Sequence, residues 1–237
     1  RAVCRRPARR GATTCAPKLS PRQKLGTGPF LRTALLNPRV GTGRPDIIRA
    51  IATAGHEVGL HGGRNHGAWQ HGAFGWDARR VAEEVAWGLD RLRSAGVGPV
   101  RAFASPGWTP PPALPEVLVR HGFDVLADDH GTGPGRWTVL DRGARLTSVA
   151  TNLLGEPCGV GYLETLRAGG LDDDAILARF ERDLDGSGGL AVAYDHPVYA
   201  GIHGIDLLAG MVAAARARGF QVATLSQATD HARAHSG

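Results

Sequence analysis

Four of the ten histidines of this 237-residue chain, His56, His61, His66 and His71, fall within sixteen positions of the stretch GHEVGLHGGRNHGAWQHG. Neutral imidazole is a common zinc ligand, and two rings from one loop plus a carboxylate leave a coordination position open for water. A spacing of five aligns these rings on neither a helix face nor a strand face, so regular structure supplies no reason for the cluster. Gly62 and Gly63 would let the backbone turn until His61 and His66 face one point. Two further polar pairs, Asp128 with Asp129 and Asp195 with His196, each follow an apolar run. Carboxylates and imidazoles in such places can transfer protons in general acid–base catalysis. Each group also has a plainer reading. Loop histidines are commonly solvated surface groups, Asp195-His196-Pro197 could cap a turn, and Trp69, Trp76 and Trp108 could be core aromatics rather than pocket walls.

The elements that must position these residues alternate in type. Residues 45–54 read as a short helix, with Pro45 and Asp46 in its first turn and Gly55 beyond its end. Helices are predicted over 77–94, where Val81, Val85, Leu89 and Leu92 make one apolar face, and over 112–121, 172–184 and 204–218. Strands are predicted over 56–60, 100–104, 123–127, 146–150, 190–194 and 220–224. Such alternation predicts an α/β fold with a mostly parallel sheet, wound open or closed as a barrel. Active sites in these folds lie at the carboxyl ends of strands, and all three polar groups fall at that address. With no repeat and no linker after residue 45, residues 46–237 read as one domain.

Charge is distributed unevenly. Residues 1–45 hold 11 of the 28 Lys and Arg and none of the 22 Asp and Glu, so the formal net charge of +6 hides a body with a net charge of −5 behind a basic leader. The leader has no apolar periodicity over residues 1–23 and no aromatic residue there, so an irregular, loosely packed segment is expected rather than a nucleic-acid arm. Its Arg, Ala, Gly and Pro content is also that of a GC-rich gene read out of frame, and an opening Arg1 is expected of a fragment or processed chain. No apolar h-region follows the arginines and no run of 18 apolar residues exists, so neither a secretory signal nor a transmembrane segment is predicted. Cys4, Cys15 and Cys158 are too few and too scattered for a disulfide framework or a cysteine zinc site, and Cys158 reads as a structural thiol.

The stretch PDIIRAIATAGHEVGLHGGRNHGAWQ resembles the second motif of the polysaccharide deacetylases, the NodB-homology domain of carbohydrate esterase family 4. Within that superfamily it is most similar to the bacterial deformylases of undecaprenyl-phosphate 4-deoxy-4-formamido-L-arabinose, which share the DIIR helix, the EVGLH strand and an Ala-Trp-Gln loop. Further matches follow in order: FASPGW at 103–108, Ala127-Asp128-Asp129-His130-Gly131, VAYDHPVYAG at 192–201 and the tail GFQVATLSQA. The resemblance covers about residues 46–230. It departs in two ways. The loop between His61 and His66 is one residue longer than in the family, and no acid precedes Asp46, so the family's early Asp pair, one base and one metal ligand, is missing.

The resemblance implies a distorted (β/α)7 barrel, N-terminally incomplete, and a hydrolase that removes an acetyl or formyl group from the nitrogen of an amino sugar. It makes His61 and His66 ligands of a divalent metal, Zn²⁺ by preference, and His196 the acid that protonates the leaving amine, with Asp128 orienting its ring. Trp69 and Trp108 become substrate-binding residues. The expected partner is an amino sugar, lipid-linked in the deformylase case, with no nucleic acid. The expected location is cytoplasmic, at the inner membrane face if the substrate is lipid-linked. The alternative is a degenerate carbohydrate-binding barrel that lacks the Asp base. His196 is expected to share a cleft with His61 and His66.

Overall fold

The computed structural model describes residues 18–36, 43–141, 143, 146–157, 159 and 161–235. Cys158 and most of the leader's first 23 positions lie outside the described residues. In chain order the helices are α1 (Pro21–Leu25), α2 (Thr27–Leu36), α3 (Pro45–Thr53), α4 (His66–Gly72), α5 (Ala78–Ser94) and α6 (Leu114–Arg120). They continue with α7 (Tyr162–Ala168), α8 (Asp173–Asp185), α9 (Pro197–His203), α10 (Ile205–Ala217) and α11 (Leu225–Ala234). The strands are β1 (Leu60–His61), β2 (Ala102–Ala104), β3 (Val125–His130), β4 (Trp137–Asp141) and β5 (Leu146–Thr151). Within the leader, α1 is a helix the composition did not announce, started by a Ser20–Gln23 capping box.

These elements form two compact units. One comprises Pro38–Asp129, Trp137–Ala150 and Ala223–Gly237 and carries the sheet. Its strand order is β1-β2-β3-β5-β4, with β1, β2 and β3 parallel and β4 antiparallel to β5. The predicted parallel sheet is therefore present, with an antiparallel hairpin that the alternation did not reveal. The core of this unit joins Leu60, Trp69, Phe103, Phe123 and Leu126 to Val81 and Val85 of α5. At Gly88 a Cβ would lie 2.5 Å from Leu60, so α5 packs directly on β1. Arg101 and Arg233 converge on Asp124, tying α11 to the start of β3, and these partners hold the Asp124 carboxyl below its usual range against the opposing effect of burial.

The second unit comprises Arg1–Asn37, His130–Arg136 and Thr151–Val222. Tyr162, Leu163 and Leu166 of α7 pack with Ile176 and Phe180 of α8 and with Leu207 and Met211 of α10. The strand expected over 190–194 reduces to one parallel bridge, Leu153 with Ala193. The Asn152 side chain explains this. Its Oδ1 accepts the Val192 N–H and its Nδ2 donates to the Leu190 carbonyl, so a side chain satisfies groups that a strand partner would otherwise take. Residues 220–224 likewise form no ladder and end in Thr224, whose hydroxyl caps α11. Among the described residues, no single helix is long and apolar enough to cross a membrane.

Candidate functional site

In the sheet-bearing unit, polar residues gather at the carboxyl ends of the three parallel strands. His61 ends β1 opposite Ala104 of β2, and its Nδ1 lies 2.9 Å from the Ala104 carbonyl. That carbonyl can only accept, so Nδ1 carries the proton and Nε2 carries the lone pair. The chain then turns at Gly62, whose φ of +77° suits glycine and where a Cβ would meet Pro106 at 2.6 Å. Asn65 caps α4 by accepting the Ala68 N–H, which places His66 as the first residue of that helix. The His61 and His66 ring centres are 5.1 Å apart and tilted by 55°.

Asp128 stands two residues beyond the β2–β3 register pair of Phe103 and Leu126. The Ser105 N–H donates to its Oδ1 and the Ser105 hydroxyl donates to its Oδ2, the latter at 2.6 Å. Burial pushes the Asp128 carboxyl up to about 6, and the two Ser105 hydrogen bonds oppose the shift. Trp69 does not serve as a substrate-stacking surface. It is fully buried, donates from Nε1 to the Thr109 carbonyl and packs on Trp76 and Phe103, so the expected binding role gives way to a core one. Trp108 is half-buried in the turn after β2, with a φ of +50°.

The second unit holds His196, the N-cap of α9. Its Nδ1 lies 2.7 Å from Glu164 Oε1, and its Nε2 lies 2.9 Å from the Tyr194 hydroxyl. The partner expected behind this ring was Asp128. The structure puts Glu164 there, because α7 brings a buried carboxylate 32 positions distant in sequence against the ring. Glu164 is 1% exposed, and the Lys24 ammonium from α1 pairs with its Oε2. Asp195 accepts the Leu163 N–H and the His196 N–H, and burial pushes its carboxyl up to about 6, reinforced by the Glu164 charge. Gly161 makes room for this carboxyl, since a Cβ there would approach Asp195 Oδ1 to 2.9 Å. Donor atoms of Glu164, Asp195 and His196 lie within 4.8 Å of one another, near enough to share a cation. A cavity of about 260 Å³ opens beside them, walled by Leu163, Ala200, Leu208 and Met211.

Glu164, Tyr194, Lys24 and Ser105 were not singled out by sequence. The one available signal was Glu164 itself, an acid inside the otherwise apolar start of YLETLRA.

No protein-family model matches the chain. Solved structures resemble it, among them the following two. A protein from Mycobacterium smegmatis assigned as a polysaccharide deacetylase aligns with a TM-score of 0.60 at 23% identity, covering 82% of this chain and 70% of its own. The chain has a polysaccharide-deacetylase-like fold. The allantoinase Puue aligns with a TM-score of 0.52 at 16% identity, covering 82% of this chain and 64% of its own. A deacetylase-like fold agrees with the α/β architecture and parallel strands expected from the alternation of elements, and with the crowding of polar residues at the strand ends.

Proposed function

We propose that the chain is a metal-dependent hydrolase that removes an N-acyl group, acetyl or formyl, from an amino sugar. The observation that carries this reading is the His61–His66 pair. Two imidazoles on one tetrahedral Zn²⁺, each through a bond of about 2.1 Å, have ring centres roughly 5 Å apart, and these lie at 5.1 Å. The Ala104 carbonyl favours the tautomer of His61 that offers Nε2 to a metal, the kind of outer support that ligating histidines usually have. His61 and His66 would hold the ion. When bound, a divalent cation polarises the acyl carbonyl and lowers the pKa of water.

The remaining steps belong to side chains. Asp128, whose carboxyl is raised to about 6, is the group suited to accept a proton from water near neutral pH, and Ser105 holds it in one orientation. In the other unit, His196 is a group suited to proton transfer. Glu164 takes its Nδ1–H, which fixes the ring tautomer and assigns proton delivery to Nε2, where Tyr194 also bonds. The motif likeness to the arabinose deformylases supports a formamido sugar, lipid-linked in that case, as the first substrate to try.

The experiment is zinc analysis of the purified protein, followed by assay of amine release from N-acetyl and N-formyl amino sugars. About one zinc per chain, lost in His61→Ala, is the expected result. Turnover should fall by several powers of ten in Asp128→Asn with little change in KM. Sugar binding with no amine released by the zinc-loaded protein would instead establish a carbohydrate-binding domain without catalysis.

A further inference from the structure

The loop that joins His61 to His66 is gripped at its middle by a residue outside it. Arg64 donates its backbone N–H to Glu84 Oε2 at 2.7 Å and its Nη1 to Glu84 Oε1 at 3.1 Å. Both carboxylate oxygens are thereby committed to one residue, three positions after the first histidine and two before the second. The Glu84 side chain is 13% exposed, while that of Arg64 is 50% exposed, so the acid is the fixed partner. It is fixed because α5 is. Val81 and Val85 on either side of it are wholly buried, and α5 packs on β1 through Gly88 and Leu60. One helix therefore bears both on the strand that carries His61 and on the loop that leads to His66.

The approach leaves no slack. A Cβ on Gly63 would lie 2.2 Å from Glu84 Oε2, so the carboxylate sits directly against the loop backbone. The Arg64 guanidinium also lies over the Trp87 ring, 5.7 Å from its centre and on the same helix. Glu84 and Trp87 together draw a fixed positive charge onto α5, where a carboxylate compensates it. Left to swing, that charge would oppose a dication bound within the same short loop.

We propose that Glu84 is a positioning residue for the His61–His66 pair, setting the separation of the two rings through Arg64 and drawing the Arg64 charge onto α5. This rests on the metal reading given above. Four residues separate the two histidines, and a span of that length between two ligands has many conformations to exclude.

The test is a competition titration of Zn²⁺ against a chromophoric chelator, with Co²⁺ absorption as a report of ligand geometry, on the wild-type chain and on Glu84→Leu, Glu84→Gln and His61→Ala. Loss of an outer support typically costs 10–100-fold in metal affinity, and Glu84→Leu is expected to fall in that range with an altered Co²⁺ spectrum. Glu84→Gln keeps an acceptor for the Arg64 N–H and should lose less. The melting temperature of the metal-free protein should change little in either variant, which a merely structural role would not give. Wild-type zinc affinity in Glu84→Leu alongside lost binding in His61→Ala would overturn the positioning role alone. Unchanged binding in His61→Ala would overturn the metal reading beneath it. Should Glu84→Leu fail to fold, wild-type affinity and spectrum in Glu84→Gln and in Arg64→Ala would overturn the proposal equally.

Discussion

Asp128 shows how a buried carboxyl suited to proton transfer weighs on the stability of the fold. Its carboxyl is raised to about 6 because burial penalises the anion more than Ser105 compensates it. The folded protein therefore keeps a proton between about pH 4 and 6 that the unfolded chain has already released. Stability falls as pH rises through that window and stays at the lower value above it. Asp128→Asn removes the buried charge, and the Ser105 hydroxyl can turn to accept from the new amide. At pH 8 the variant should be more stable than wild type by about 1–3 kcal/mol, with the gain vanishing near pH 3.5 and with turnover lost. Paired urea titrations at the two pH values check this, and a gain independent of pH would contradict it. His61, His66, Asp128 and His196 stand out in the sequence because their types and neighbours form an ordered set of motifs. The partner of His196 does not, since Glu164 meets it only through the packing of α7. Trp69 was misassigned because an aromatic in a motif looks the same whether it lines a pocket or fills a core, and only its complete burial decides.

Among the elements, those with three or more helical turns of apolar periodicity were readable. Helices α5, α8 and α10 lie where the spacing of Val81 and Val85, of Ile176 and Phe180, and of Leu208 and Ala215 puts them. The seven-residue helices α4, α7 and α9 were missed, because two turns give too few positions for a period to show. In α4 the burial of Trp69 and the Asn65 cap outweigh the poor helix propensity of Gly67 and Gly72. The turn before α4 is where a single atom should matter most. Gly62→Ala places a methyl at a φ of +77° and within 2.6 Å of Pro106. Strain plus overpacking should cost about 2–4 kcal/mol, and zinc affinity should drop with it because His61 is the adjacent residue. A melting curve unchanged from wild type would show that the turn can relax, and would remove the reason for a glycine at this position.

At the scale of the whole molecule, alternation announced the α/β class and a parallel sheet, while the hairpin of β4 with β5 and the partition into two compact units follow from long-range packing that no local pattern encodes. The partition supplies its own spectroscopic labels. All five tryptophans fall in the sheet-bearing unit and all three tyrosines in the other. Tryptophan emission therefore reports the unit that holds His61 and His66, and tyrosine absorbance reports the one that holds Glu164 and His196. A ligand stabilises what it binds by an amount set by its concentration over its Kd, about 2.7 kcal/mol at a hundredfold excess. Zinc held by His61 and His66 should thus shift the tryptophan-reported urea transition upward, and His61→Ala should abolish the shift. Lys24→Met, which leaves the buried Glu164 without its ammonium partner, should instead lower the tyrosine-reported transition. Zinc that moves the tyrosine signal and leaves tryptophan unmoved would point to Glu164, Asp195 and His196 as the ion's ligands and would remove His61 and His66 from that role.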